Sequence, residues 1–239
     1  MTPFMILLEE DILAMMRSWT VWMWLAISGV GGLSAVVFAG TFDQESTSFL
    51  FGWFLVLYVA LGSFMVMIIS SSSGGIDPRT LGDSIISHGV TPIQFVLSLL
   101  ISRTLTVLGM SLLIITPVAF AMMAGGVSND LDPSGILIAL LYTGLLFAVL
   151  VFLSVTFSAV VTNTPGSLAM IYILWYTAIT ILLAIQADGF SPSGVLGQIP
   201  DLLQGEFQWA LHFPILTALL FPLVGLPPLG IRMFGQRDF

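Results

Sequence analysis

The chain has no cysteine and no lysine; its five basic residues are Arg17, Arg79, Arg103, Arg232 and Arg237. Without cysteine there are no disulfides, no thiolate nucleophile and no Cys-ligated metal. Without a basic patch a nucleic-acid binder is excluded. Charge of either sign is scarce, at 8% of 239 residues, where soluble domains carry about 25%. So few charges do not dress a water-facing surface. The motifs HExxH, GxSxG, GxGxxG and the P-loop are all missing, and only two histidines, His88 and His212, are present. The acidic balance, net −8, fits a high-salt habitat and fits equally well a sparse sampling of few charged positions.

What is there is hydrocarbon. The hydrophobic fraction is 57% and the mean hydropathy is +1.08, so lipid is the solvent for most of the chain. A spanning helix needs about 20 mostly apolar residues. Six stretches qualify, at about 19–40, 49–70, 92–124, 134–158, 167–186 and 213–231, the third long enough to tilt or bend near Pro117. Glycine, proline and acidic residues punctuate the connections. No internal repeat is evident. The expected fold is all-α: a single polytopic domain over 1–239 with six transmembrane helices.

The arginines orient it. With six spans, Arg17, Arg79, Arg103, Arg232 and Arg237 all fall toward one side, an outcome with roughly one chance in sixteen, and the positive-inside rule makes that side cytoplasmic. Both termini are then cytoplasmic. Asp43, Glu45, Asp130, Asp132, Asp188, Asp201 and Glu206 lie in the opposite connections. The start of the chain has no basic n-region, and Glu9 to Asp11 interrupt its apolar run, so it does not read as a signal peptide.

Two amphipathic stretches stand outside the spans. Residues 3–17 put Phe4, Leu7, Leu8, Ile12 and Met15 near one helical face, with Glu9, Glu10 and Asp11 together elsewhere, the pattern of an interfacial helix. In the last external connection, Val195 to Trp209 carries Leu196, Ile199, Leu202, Leu203 and Phe207 at helical spacing. It is too short and broken to span, and reads as a re-entrant or surface-lying helical pair.

Chemistry inside the membrane is thin. Arg103 is the single ionisable candidate within a span, and its place near the cytoplasmic edge lets it snorkel. No carboxylate falls within a span to couple protons or sodium, so energy for any transport comes from elsewhere. The two histidines read as interfacial residues on opposite sides. A dyad of His212 with Ser154 or Ser158 would have to join opposite ends of the membrane.

The second connection holds the most informative segment, IDPRTLGDSIISHGV. Asp77 caps a helix with Pro78 at its first position, Leu81, Ile85 and Ile86 repeat at helical spacing, Gly89 stops it, and Pro92 opens the third span. Such a short cytoplasmic helix rests on the bilayer or docks on a partner; docking is favoured.

With these pieces in order, the chain resembles the membrane permease of type-2 ABC exporters. The segment DPRTLGDSIISHGVTPIQFVLSLLISR follows that family's loop. Asp77, Arg79, Thr80 and Leu81 match its opening, Thr91 and Pro92 its small-Pro pair, and Arg103 its later base. Val195 to Trp209 matches the helical pair before the last span, and IRMFGQRDF the basic tail. One departure is Asp77-Pro78-Arg79 where the family has an acidic residue directly before the basic one; another is the SSSSGG that precedes it.

The resemblance implies the permease subunit of an ATP-driven exporter in a prokaryotic cell membrane. Its short coupling helix would dock on a cytosolic ABC ATPase through Asp77, Arg79, Thr80, Leu81, Asp83, Ile85, His88 and Gly89. Leu196, Ile199, Leu202, Leu203 and Phe207 would form an extracellular gate. The implied partners are ATPase subunits, a second permease copy or paralogue, and membrane lipid. No cofactor is expected in this chain, with ATP and Mg in the partner, and no catalytic or metal site of its own. Spans rich in Met, Phe and Trp suit a hydrophobic or amphipathic substrate, or merely face lipid. The alternatives are an ABC-like subunit for cofactor or envelope assembly, and an unrelated intramembrane enzyme or scaffold.

Overall fold

Where lipid is the solvent, an apolar stretch of membrane length satisfies its backbone only by coiling on itself. The computed structural model, which describes residues 3–41, 46–71, 91–125, 130–158 and 164–235, is helical nearly throughout, with no strand among them. The order is α1 (Pro3–Met16), α2 (Trp19–Thr41), α3 (Thr47–Ser71), α4 (Pro92–Gly125), α5 (Pro133–Ser158) and α6 (Thr164–Ala184). A 3-10 turn at Asp188–Phe190 leads to α7 (Pro192–Gly197), α8 (Ile199–Leu203) and the final α9 (Trp209–Gly235). Six of these helices, α2 to α6 and α9, are long and apolar enough to cross a membrane. The chain is an all-α polytopic membrane protein.

The core lies where α2, α3, α4 and α5 meet, with α5 packed against α3, α4, α6, α8 and α9. Trp24 stacks on Tyr58 with ring centroids 5.7 Å apart, and Phe147 meets Trp24 edge-on at 5.8 Å. Gly62 makes this cluster possible: a Cβ there would come within 2.8 Å of the Phe147 ring. Small residues let membrane helices approach closely enough to gain from dispersion contacts. α6 and α9 sit at the periphery, with Ile173, Tyr176, Phe221 and Val224 all exposed as lipid-facing side chains would be.

α4 runs unbroken through Pro117, and α9 through Pro214, Pro222, Pro227 and Pro228. Each proline removes a backbone donor, a loss that neighbouring helices offset in membrane bundles.

α1 packs along α4. Phe4, Leu7, Leu8, Ile12 and Met15 face inward, as their spacing requires. The three acidic residues do not stay together. Glu9 and Glu10 are exposed, while Asp11, four residues after Leu7 and four before Met15, lies on the inward face. At the junction to the first span, the Trp22 indole N–H donates to the Met16 carbonyl at 2.9 Å, the kind of anchor tryptophan provides at a membrane interface.

Candidate functional site

The residues expected to dock on an ATPase, Asp77, Arg79, Thr80, Leu81, Asp83, Ile85, His88 and Gly89, lie outside the described residues. The expected gate residues are all described and form a cap over one end of the bundle. Ser191 starts α7 by accepting from the Gly194 N–H at 3.1 Å, and Pro192 occupies the first helical position. Ile199, Leu202 and Leu203 are fully buried against α3 and α5, whereas Leu196 and Phe207 are half-buried.

This cap is held by polar contacts that its apolar spacing did not announce. The Asp132 N–H donates to the Leu203 carbonyl at 2.8 Å. The Gln204 side chain donates to the Ser48 hydroxyl at 2.9 Å, and that hydroxyl donates to Asp130 at 2.5 Å. The Asp130 carboxylate also accepts from the Ser48 N–H at 3.2 Å, in the first turn of α3, where a negative charge meets the helix dipole favourably. Asp132 does the same for α5, accepting from the Ser134 hydroxyl and from the Gly135 N–H. The Ser134 hydroxyl, and then the Gly135 N–H, hold the Asp132 carboxyl below its ordinary range. Gly135 is required here because a Cβ would fall on the Leu202 carbonyl.

His212 begins the last span and is buried within the protein. Its ring stacks on Phe207 at 4.6 Å, and its Nδ1 lies 3.0 Å from the Tyr142 hydroxyl. Burial follows because the chain between α8 and α9 brings Phe207 back over the imidazole. Ser154 is twelve residues beyond Tyr142 on α5, about 18 Å along the axis. A Ser–His dyad with Ser154 or Ser158 is therefore not assembled.

Arg103 does not snorkel. It is 1% exposed and lies eleven residues into α4, about 16 Å from that helix's start. α1 covers this stretch, and its Asp11 carboxylate comes within 3.7 Å of Arg103 Nε. The guanidinium also donates to the Ser70 carbonyl in the last turn of α3, and the neighbouring Ser102 hydroxyl donates to Asp11. A carboxylate outside the spans thus meets a charge inside one.

An apolar cleft of about 650 Å³ runs between α2 and α3, bordered by Trp24, Ile27, Gly31, Leu57, Leu61 and Phe64. Of its few polar groups, Ser34 donates to its own helix and Tyr58 to Ser111, while the Trp24 indole N–H finds no partner among the described residues. The cleft offers hydrocarbon contact and no charge. No family model matches the chain, and neither does any curated protein or solved structure.

Proposed function

We propose that this chain is the membrane-spanning permease subunit of an ATP-driven ABC exporter, moving a hydrophobic or amphipathic substrate. The observation that supports this reading best is the order of elements. A helix packed against the bundle precedes six helices of membrane length, and a short helical pair folds over one bundle end just before the last of them. The segment DPRTLGDSIISHGVTP between the second and third of these helices adds the family's loop pattern. The apolar cleft suits a hydrocarbon-rich substrate.

In this reading the chain carries no nucleotide site. ATP and Mg are held by two cytosolic ATPase subunits, and the permease pairs with a second copy or a paralogue in a cell membrane with both termini cytoplasmic. ATPase closure pushes the short helix at Asp77 to Gly89, and the spans rock as rigid bodies.

The test is co-purification with a cytosolic P-loop ATPase, sought first among the products of neighbouring genes, together with ATP hydrolysis by the complex in proteoliposomes. Buried apolar anchors set affinity, whereas rim charges set orientation. Leu81→Glu and Ile85→Glu should abolish both signals, with Arg79→Ala doing less. Wild-type levels in the two glutamate variants, with the protein still in the membrane, would remove the main support for the reading.

A further inference from the structure

We propose that Arg103 is a latch that makes α1 and the end of α3 move as one piece, and that Asp11 holds it shut. Three elements distant in sequence meet at this side chain. Arg103 stands on α4, its guanidinium donates to the Ser70 carbonyl of α3, and its Nε faces the Asp11 carboxylate of α1 at 3.7 Å. Asp11 is held a second time by the Ser102 hydroxyl. Arg103 therefore has partners on two other helices, and Asp11 is gripped by two neighbouring side chains of α4.

The chemistry requires an arginine. Ser70 lies in the last turn of α3, where the final carbonyls have no partner within the helix. A planar fork of donors reaches such a carbonyl and a carboxylate at once, and a lysine ammonium does so poorly. Burial makes the pair interdependent: removing one charge leaves the other stranded in a low-dielectric site, a strongly unfavourable state. Arg103 relieves itself by leaving the site, and the Ser70 carbonyl then loses its donor.

The consequence is mechanical. The chain leaves α3 at Ser71, one residue beyond the latched carbonyl. Any displacement of that end is carried through Arg103 to Asp11, and so to the whole of α1. Apart from this pair and the Trp22 indole bond to the Met16 carbonyl at its last residue, α1 is held among the described residues by apolar side chains, which slide more easily than a two-partner ion pair does. This holds whether or not an ATPase supplies the displacement.

The absence of cysteine gives a direct experiment on the full chain in membranes. Single reporters Ser71→Cys and Met15→Cys, both buried, follow the α3 end and α1, with buried Thr143→Cys on α5 as a control for the fold. Labelling by N-ethylmaleimide is measured with each reporter alone. D11N should speed both latch reporters about tenfold or more while leaving Thr143→Cys slow, and D11E should restore slow labelling. R103K keeps the charge but loses the carbonyl bond, and should speed Ser71→Cys selectively. A rise at Met15→Cys alone in D11N would make the pair a simple anchor for α1 and overturn the latch. Should D11N speed Thr143→Cys equally, its fold is lost, and R103K decides: slow labelling of Ser71→Cys in R103K overturns the proposal.

Discussion

The backbone N–H of Asp132 donates to the carbonyl of Leu203 across 2.8 Å, tying the start of α5 to the end of α8. This bond, with the Gln204–Ser48–Asp130 chain beside it, makes the α7–α8 segment part of the bundle rather than a loose surface loop. Its inner and outer faces should behave oppositely toward solvent.

Single cysteines at Ile199, Leu202 and Leu203, all fully buried, should react slowly with a water-soluble maleimide. Cysteines at Asp201 and Gln204, which are exposed, should react quickly. Equal rates at all five positions would mean that the segment is not seated on α3 and α5.

Gly135→Ala should be among the most damaging single-methyl changes in the chain, because its Cβ would meet the backbone of Leu202, which has no flexible end to give way. Overpacking of this kind costs about 1–3 kcal/mol. Gly29→Ala, with open space around it, should be near neutral. Unfolding midpoints of the two variants in detergent check the difference.

Acid should loosen the same end of the bundle. The folded Asp132 carboxyl titrates below its ordinary value, held there by the Ser134 hydroxyl and the Gly135 N–H. Such a group contributes stability fully above its unfolded pKa, about 3.9, and the contribution fades as pH falls through the lower folded value. Asp132→Asn should therefore flatten the acid limb of a stability-versus-pH curve below about pH 4 while leaving the slope near neutrality unchanged. An unaltered acid limb would place the responsible group elsewhere.

Tyr142→Phe removes the hydroxyl that meets His212 Nδ1 and leaves a buried ring nitrogen without its partner. The expected loss is about 1–3 kcal/mol, read as a lowered unfolding midpoint and faster labelling of a cysteine at Phe207. Ser154→Ala and Ser158→Ala, far from that histidine on α5, should leave both readings unchanged.

The length and order of the helices were legible because the bilayer sets them: a span needs about 20 mostly apolar residues, and clusters of glycine, proline and acidic residues separate one such run from the next. Predicted bounds such as 134–158 and 92–124 differ by only a residue or so from Pro133–Ser158 and Pro92–Gly125. The inward position of Asp11 was also written in the spacing, since 4, 7, 8, 11, 12 and 15 make one helical stripe; reading Glu9, Glu10 and Asp11 as one acidic block concealed it.

For the described residues, the sequence alone determined six apolar helices with two amphipathic attachments, because hydropathy and length suffice to tell lipid from water. Tertiary structure alone decided which faces of those helices meet protein. Lipid tails are as apolar as leucine, so the buried face of α5 and the exposed face of α6 are written in the same residues. Nor does spacing within one helix reveal that Arg103 meets Asp11 and Ser70, or that Gln204 reaches Ser48. Those contacts join residues far apart in the chain, and only the packing of whole helices brings them within reach.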